Sequence, residues 1–144
     1  MNWKRLSAVA IGLATTAALV GSSLAALPDD REQTMKHVGK AFKALVTMSK
    51  GTFDAAEAKT QGNEIAAQLE KFKTLFPAGS ENTGDKQASP KIWTDAAGFE
   101  TARTNAMTAA LAVASVTDAA AFPAAFKTLG GTCKACHDKY RKED

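Results

Sequence analysis

The chain has 144 residues, with 18 Lys and Arg against 15 Asp and Glu and a formal net charge of +3 at pH 7. This length supports one hydrophobic core and hence one domain. So small a charge excludes nucleic-acid binding through bulk electrostatics.

The first residues, Met1-Asn2-Trp3-Lys4-Arg5, form a short basic stretch, followed by an apolar run from Leu6 to Val20 and then Gly21-Ser22-Ser23-Leu24-Ala25-Ala26. That order is the signature of a secretory signal peptide. Ser23 and Ala25 occupy the two small-residue positions, so cleavage is expected after Ala25, with Ala26 as the alternative, giving a leader of residues 1–25 and a mature domain of residues 26–144. The apolar run is interrupted by Gly12, Thr15 and Thr16 and is shorter than a membrane-spanning helix requires, so no membrane anchor is expected in the mature form. No cysteine lies at the cleavage point, which argues against a lipid anchor. Export to the periplasm follows, and loss of Lys4 and Arg5 leaves a charge of +1.

Four helices are expected in the mature chain. The first, about 29–49, carries Arg31, Met35, Val38, Phe42, Leu45 and Ser49 on one stripe, with Asp29 and Asp30 near its start and Gly51 after its end. The second, about 53–76, aligns Ala58, Ile65, Leu69, Phe72 and Phe76 and is closed by Pro77. Residues 78–88 have the composition of a solvated loop. A third helix starts at Ser89-Pro90 and places Trp93, Ala97, Thr104, Met107 and Leu111 inward, with Leu111 in the core. The fourth, about 118–141, aligns Phe122, Phe126, Leu129, Cys133, Cys136, His137 and Tyr140, with Gly130-Gly131 as a point where it can kink. The expected fold is all-α, an antiparallel up-down-up-down four-helix bundle. The small side chains of Ala97, Ala114 and Ala125 either let helices approach or leave room for something large between them.

Cys133-Lys134-Ala135-Cys136-His137 has the C-x-x-C-H spacing of c-type haem attachment. One helical turn puts both sulfurs and the imidazole on a single face, where the cysteines reach the two vinyl groups of a porphyrin and the histidine reaches its iron. A closed zinc site lacks ligands, since His37 is the only other His or Cys after residue 25. A thioredoxin-like pair lacks its βαβ context, whereas a local disulfide stays open as an alternative. His137 would fill one axial position of the iron, leaving the other to a donor on the first helix or to a gap. Met35 shares the inward stripe, while His37, two residues on, points to the outer surface.

The mature chain resembles a class II c-type cytochrome, the cytochrome c′ family. The resemblance rests on Arg31-Glu32-Gln33-Thr34-Met35-Lys36, Met48-Ser49-Lys50-Gly51, Ser89-Pro90-Lys91-Ile92-Trp93, and Cys133 to His137 followed by Tyr140-Arg141. It implies one covalent haem c with its iron, His137 as proximal ligand, Arg31 near a propionate and Trp93 near the haem pocket. High-spin members leave the iron five-coordinate behind an apolar residue and bind nitric oxide or carbon monoxide, whereas low-spin members place a Met there and carry electrons. The Thr-Met-Lys phrase is most like the low-spin branch, with Met35 as distal ligand. The expectation is therefore a periplasmic electron carrier with His/Met-ligated iron, the alternative being a five-coordinate gas binder. A redox partner goes unnamed, and a homodimer is compatible with the sequence. No nucleophile or acid/base constellation marks an enzyme. Lys134, Lys139, Arg141 and Lys142 crowd the haem-bearing end, where they either steer an acidic partner or simply complement the helix dipole.

Overall fold

The structure, a computed structural model, describes residues 18–85 and 87–142, so most of the expected leader, residues 1–25, lies outside the described residues. Helix α1 spans Ala18–Ser49, α2 Ala55–Phe72, α3 Lys91–Thr94, α4 Ala96–Ala114 and α5 Phe122–Tyr140. The long helices α1, α2, α4 and α5 form the antiparallel four-helix bundle expected from the sequence, and α3 is a single turn leading into α4. Among the described residues, no helix is long and apolar enough to cross a membrane.

Helix α1 begins before the expected start at Asp29 and runs through Pro28. Proline has no N–H to give to the ladder. In a chain cut after Ala25, Pro28 would stand in the first turn, where that N–H has no intrahelical acceptor anyway. Asp54 starts α2, its carboxylate accepting the Glu57 N–H at 2.9 Å. Helix α5 has Pro123 in its first turn and runs unbroken through Gly130-Gly131, without the kink that two glycines permit.

The third expected helix is divided, and its inward face differs from the expected one. Asp95 leaves helical geometry at φ −130° and ψ 52°, and its side chain caps α4 by accepting the Gly98 N–H at 3.2 Å. The face α4 buries is Phe99, Arg103, Ala106, Ala109, Ala110 and Val113. Ala97 is exposed, Thr104 and Met107 are half-buried, and Leu111, expected in the core, is 44% exposed. The break at Asp95 shifts the helical phase, so a stripe counted from Trp93 does not continue into α4. The alanine-rich α4 also offers little contrast between its faces to fix that phase.

Pairwise packing follows chain order. Helix α1 packs on α2, α2 on α4 and α4 on α5, while α1 and α5 barely meet. The core between them includes the fully buried Leu45, Ile65, Ala110, Val113 and Leu129. At Gly62 the backbones of α2 and α4 come so close that a Cβ would stand 2.6 Å from Ala110 O and 2.7 Å from Ala114 N. Ala114 thus does what the sequence suggested for small residues, and Gly62 does so more strictly. A second cluster at the other end joins Ile92, Phe99 and Tyr140 to Phe72, Phe76 and Trp93.

Candidate functional site

The open seam between α1 and α5 is a cleft of about 920 Å³, near the top of the roughly 300–1,000 Å³ range of ordinary ligand sites. Helix α5 contributes Gly130, Cys133, Cys136, His137 and Tyr140, and α1 contributes Arg31, Met35, Val38, Gly39 and Phe42. Leu69 and Phe72 of α2 and Phe99, Arg103 and Ala106 of α4 close the interior. Cys133, Cys136, His137, Met35 and Arg31 therefore all meet at one cavity, though they come from opposite ends of the chain. Trp93 is not among the lining residues. It stands one layer behind, edge-on to Phe76 at 5.8 Å, with its indole Nε1 donating to Pro77 O at 3.3 Å.

Cys133 and Cys136 are not joined in the local disulfide that the sequence left open. Burial pushes the Cys133 thiol above its ordinary value, and burial together with the neighbouring Cys133 pushes Cys136 up to about 11. Redox-active C-x-x-C pairs show the opposite, a thiolate favoured at a helix N-terminus. Here the pair lies in the C-terminal half of α5, where the helix dipole disfavours an anion. The imidazole of His137 is accessible from the cleft. The packed wall behind it and the positive charge of Arg141 lower its pKa, against a smaller opposing effect from Asp138. It is therefore held toward the neutral form that can ligate a metal.

His37 is on the outer surface, as expected, with its Nδ1 3.9 Å from Glu64 on α2. Among the cleft-lining residues Met35 is the single thioether and His137 the single imidazole. Met48 and Met107 belong to the bundle core.

Arg31 lines the cleft but is only 4% exposed. Its Nε donates to Leu75 O at 2.9 Å, Nη2 to Ser80 Oγ at 2.8 Å, and Nη1 to Asp85 Oδ2 at 3.1 Å, with longer bonds of 3.4 Å to Ser80 O and Thr83 Oγ1. Its guanidinium lies over Phe76 at 4.4 Å. Arg31 thus pins the 73–85 segment against α1, and only its two long bonds are readily released to another acceptor. Burial raises the pKa of Asp85, but the N–H groups of Gln87 and Ala88 and the Arg31 guanidinium outweigh it, holding the carboxyl below 3.8.

Arg103 was not anticipated from the sequence. It is 3% exposed in the cleft wall. Its guanidinium donates to Glu100 at 2.6 and 2.9 Å, to Leu69 O at 3.0 Å and to Glu70 at 3.1 Å, tying α4 to α2. The only sequence signal was the Glu100/Arg103 spacing of three, which usually marks a solvated ion pair. At the rim, Lys134 pairs with Asp138 and Lys139 with Asp95, so these two members of the basic cluster noted in the sequence are neutralised locally.

The arrangement fits a planar, largely apolar cofactor held from one side. Two thiols and an imidazole share one wall, hydrocarbon faces them across the seam, and Gly130 leaves space where a side chain would enter the cleft. A Cβ at Gly130 would have only Phe42 Cζ nearby, at 3.8 Å.

The family model described as Cytochrome C′ matches residues 27–141. Cytochrome c′ of Rhodopseudomonas palustris is 37% identical over 138 residues, covering 90% of this chain and 94% of the relative. Cytochrome c-556 of Agrobacterium fabrum is 39% identical over 117 residues, covering 78% and 79% respectively. Among solved structures, cytochrome c′ of Rhodopseudomonas palustris superimposes with a TM-score of 0.75 at 34% identity, over 82% of this chain and 97% of that one. Cytochrome c′ of Shewanella frigidimarina gives 0.73 at 31% identity, over 83% and 97%. The chain belongs to the cytochrome c′ family and is a mono-haem c-type cytochrome with covalently attached haem c.

Proposed function

We propose that residues 26–144 work in the periplasm, with haem joined by thioethers to Cys133 and Cys136, iron held by His137, and an apolar distal wall that admits a small diatomic gas such as nitric oxide or carbon monoxide. The observation that carries this reading is the surface facing α5 across the cleft. Met35, Val38, Phe42, Leu69 and Phe72 present hydrocarbon and one thioether. The names of the relatives support it, since the family model and several of the relatives are cytochromes c′. The family match beginning at residue 27 supports the boundary after the leader.

The residues divide the work. Cys133 and Cys136, three positions apart, anchor one edge of the cofactor to a single helical face, and His137 turns its ring to the same side. The aromatic side chains of Phe72, Phe76 and Phe99 keep water from the interior. Bound haem supplies an iron centre able to hold an electron or a gas molecule.

One observation favours a second reading, an electron carrier with Met35 as sixth ligand: Met35 is the only thioether among the described residues that line the cleft. Absorption spectra of the ferric and ferrous holoprotein, with carbon monoxide titration, separate the two. The gas-binding reading expects high-spin spectra, rapid carbon monoxide binding and little change in Met35→Ala. A low-spin wild type with a weak near-red ferric band, converted to high-spin by Met35→Ala, would overturn it in favour of the electron carrier.

A further inference from the structure

His137 lies in the last turn of α5, where helices ordinarily fray, because the final carbonyls lack intrahelical partners. This turn is held on two sides. Ser89 N donates to Tyr140 O at 3.0 Å and Lys142 N to Gln87 O at 2.8 Å, forming an antiparallel bridge between the 87–89 segment and the end of α5. On the other side the Tyr140 hydroxyl donates to Asp95 Oδ2 at 2.8 Å, and Lys139 Nζ reaches the same oxygen at 2.5 Å. The other oxygen of Asp95 caps α4 through Gly98 N. The break between α3 and α4 and the end of α5 therefore share one carboxylate.

Gly98 makes that junction possible. A Cβ there would collide with both the Tyr140 hydroxyl and the Asp95 carboxylate, at contacts that real Cβ atoms do not make. Tyr140 follows Cys136 by four positions and His137 by three, so its ring lies on the cofactor-facing side of the helix. It lines the cleft, is buried, and meets Phe99 edge-on at 5.3 Å. The Tyr140–Asp95 bond anchors the last turn of α5, the turn that carries His137, to the start of α4.

We propose that Asp95, Gly98 and Tyr140 form a positioning device for the iron ligand, setting the orientation of His137 through the Tyr140–Asp95 hydrogen bond. This rests on the reading of His137 as that ligand. The test uses the proton NMR spectrum of the ferric holoprotein, in which the paramagnetically shifted haem methyl resonances report the orientation of the axial imidazole in either spin state. Tyr140→Phe keeps the ring and removes only the hydroxyl. It is expected to shift the methyl resonances and split them into more than one set, with helical content and haem attachment retained. Gly98→Ala should give the same spectral change. Adding Tyr140→Phe to Gly98→Ala relieves the contact with the hydroxyl but not those with the Asp95 carboxylate, and should leave the methyl resonances displaced from the wild type. Methyl resonances of Tyr140→Phe superimposable on those of the wild type would overturn the proposal. His137→Ala serves as the control: an unchanged pattern there removes the ligand reading and the proposal with it, whereas a lost pattern leaves Tyr140→Phe to decide.

Discussion

Replacing Arg31 by Leu keeps much of the apolar stem while deleting the guanidinium that ties the 73–85 segment to α1. Three of its bonds are 3.1 Å or shorter, to Leu75 O, Ser80 Oγ and Asp85 Oδ2. Bonds of this charged kind contribute about 1.5–3 kcal/mol each but do not add. Deleting one member of a buried ion pair costs about 3–5 kcal/mol. Asp85 reaches some water once released, so the lower part of that range is expected, about 3–4 kcal/mol, or roughly 10–15 °C in melting temperature for a domain of this size. The assay is thermal unfolding of the holoprotein followed by circular dichroism, with Asp85→Asn and the double variant completing a cycle. If Arg31 is committed to Asp85, the two changes are coupled by about 1–3 kcal/mol. A melting temperature within about 3 °C of the wild type, or strictly additive changes, would refute the latch and leave Arg31 free to serve a haem propionate.

Asp85 also gives the protein an acid dependence. Its folded pKa lies below the ordinary value of 3.8, so its contribution is complete above that value and disappears as pH falls through the folded pKa. Acid titration of stability below about pH 5 should therefore be shallower in Asp85→Asn than in the wild type. Gly62→Leu forces α2 away from the backbone of α4 and should lower stability by about 1–3 kcal/mol or more, measured by urea unfolding. Gly130→Leu projects a side chain into the cleft beside Phe42, and the haem-to-protein ratio after periplasmic expression should fall while Gly130→Ala stays near the wild type. Trp93, one aromatic layer behind the cleft wall, should show strongly quenched emission in the holoprotein, and bright emission would contradict its placement behind Phe76.

The attachment motif was legible because its information is local: three residues within five positions, on a helix whose stripe from Phe122 to Tyr140 is unambiguous. The α1 stripe likewise brought Arg31 and Met35 to the cavity. The phase of α4 was not legible, because alanine on every face removes the contrast that periodicity measures and Asp95 resets the count. The buried arginines were hidden for a different reason. Arg31 is satisfied inside by acceptors 44 to 54 positions away, and Arg103, beyond its local partner Glu100, by Leu69 O and Glu70 33 to 34 positions away, and no local pattern announces those distant partners.

The near absence of contact between α1 and α5 bears on how the molecule is assembled. The main helix interfaces, α1 with α2, α2 with α4 and α4 with α5, join long helices that follow one another along the chain. The open seam lies between the two ends of the domain, and it is lined by side chains such as Met35, Val38, Phe42 and Leu69. A porphyrin held by Cys133 and Cys136 would lie between this wall and α5 and would give α1, already packed on α2, a second surface to rest on. Burial of both walls against the cofactor would link the first helix to the last, so loss of the haem should loosen α1 from α5 first.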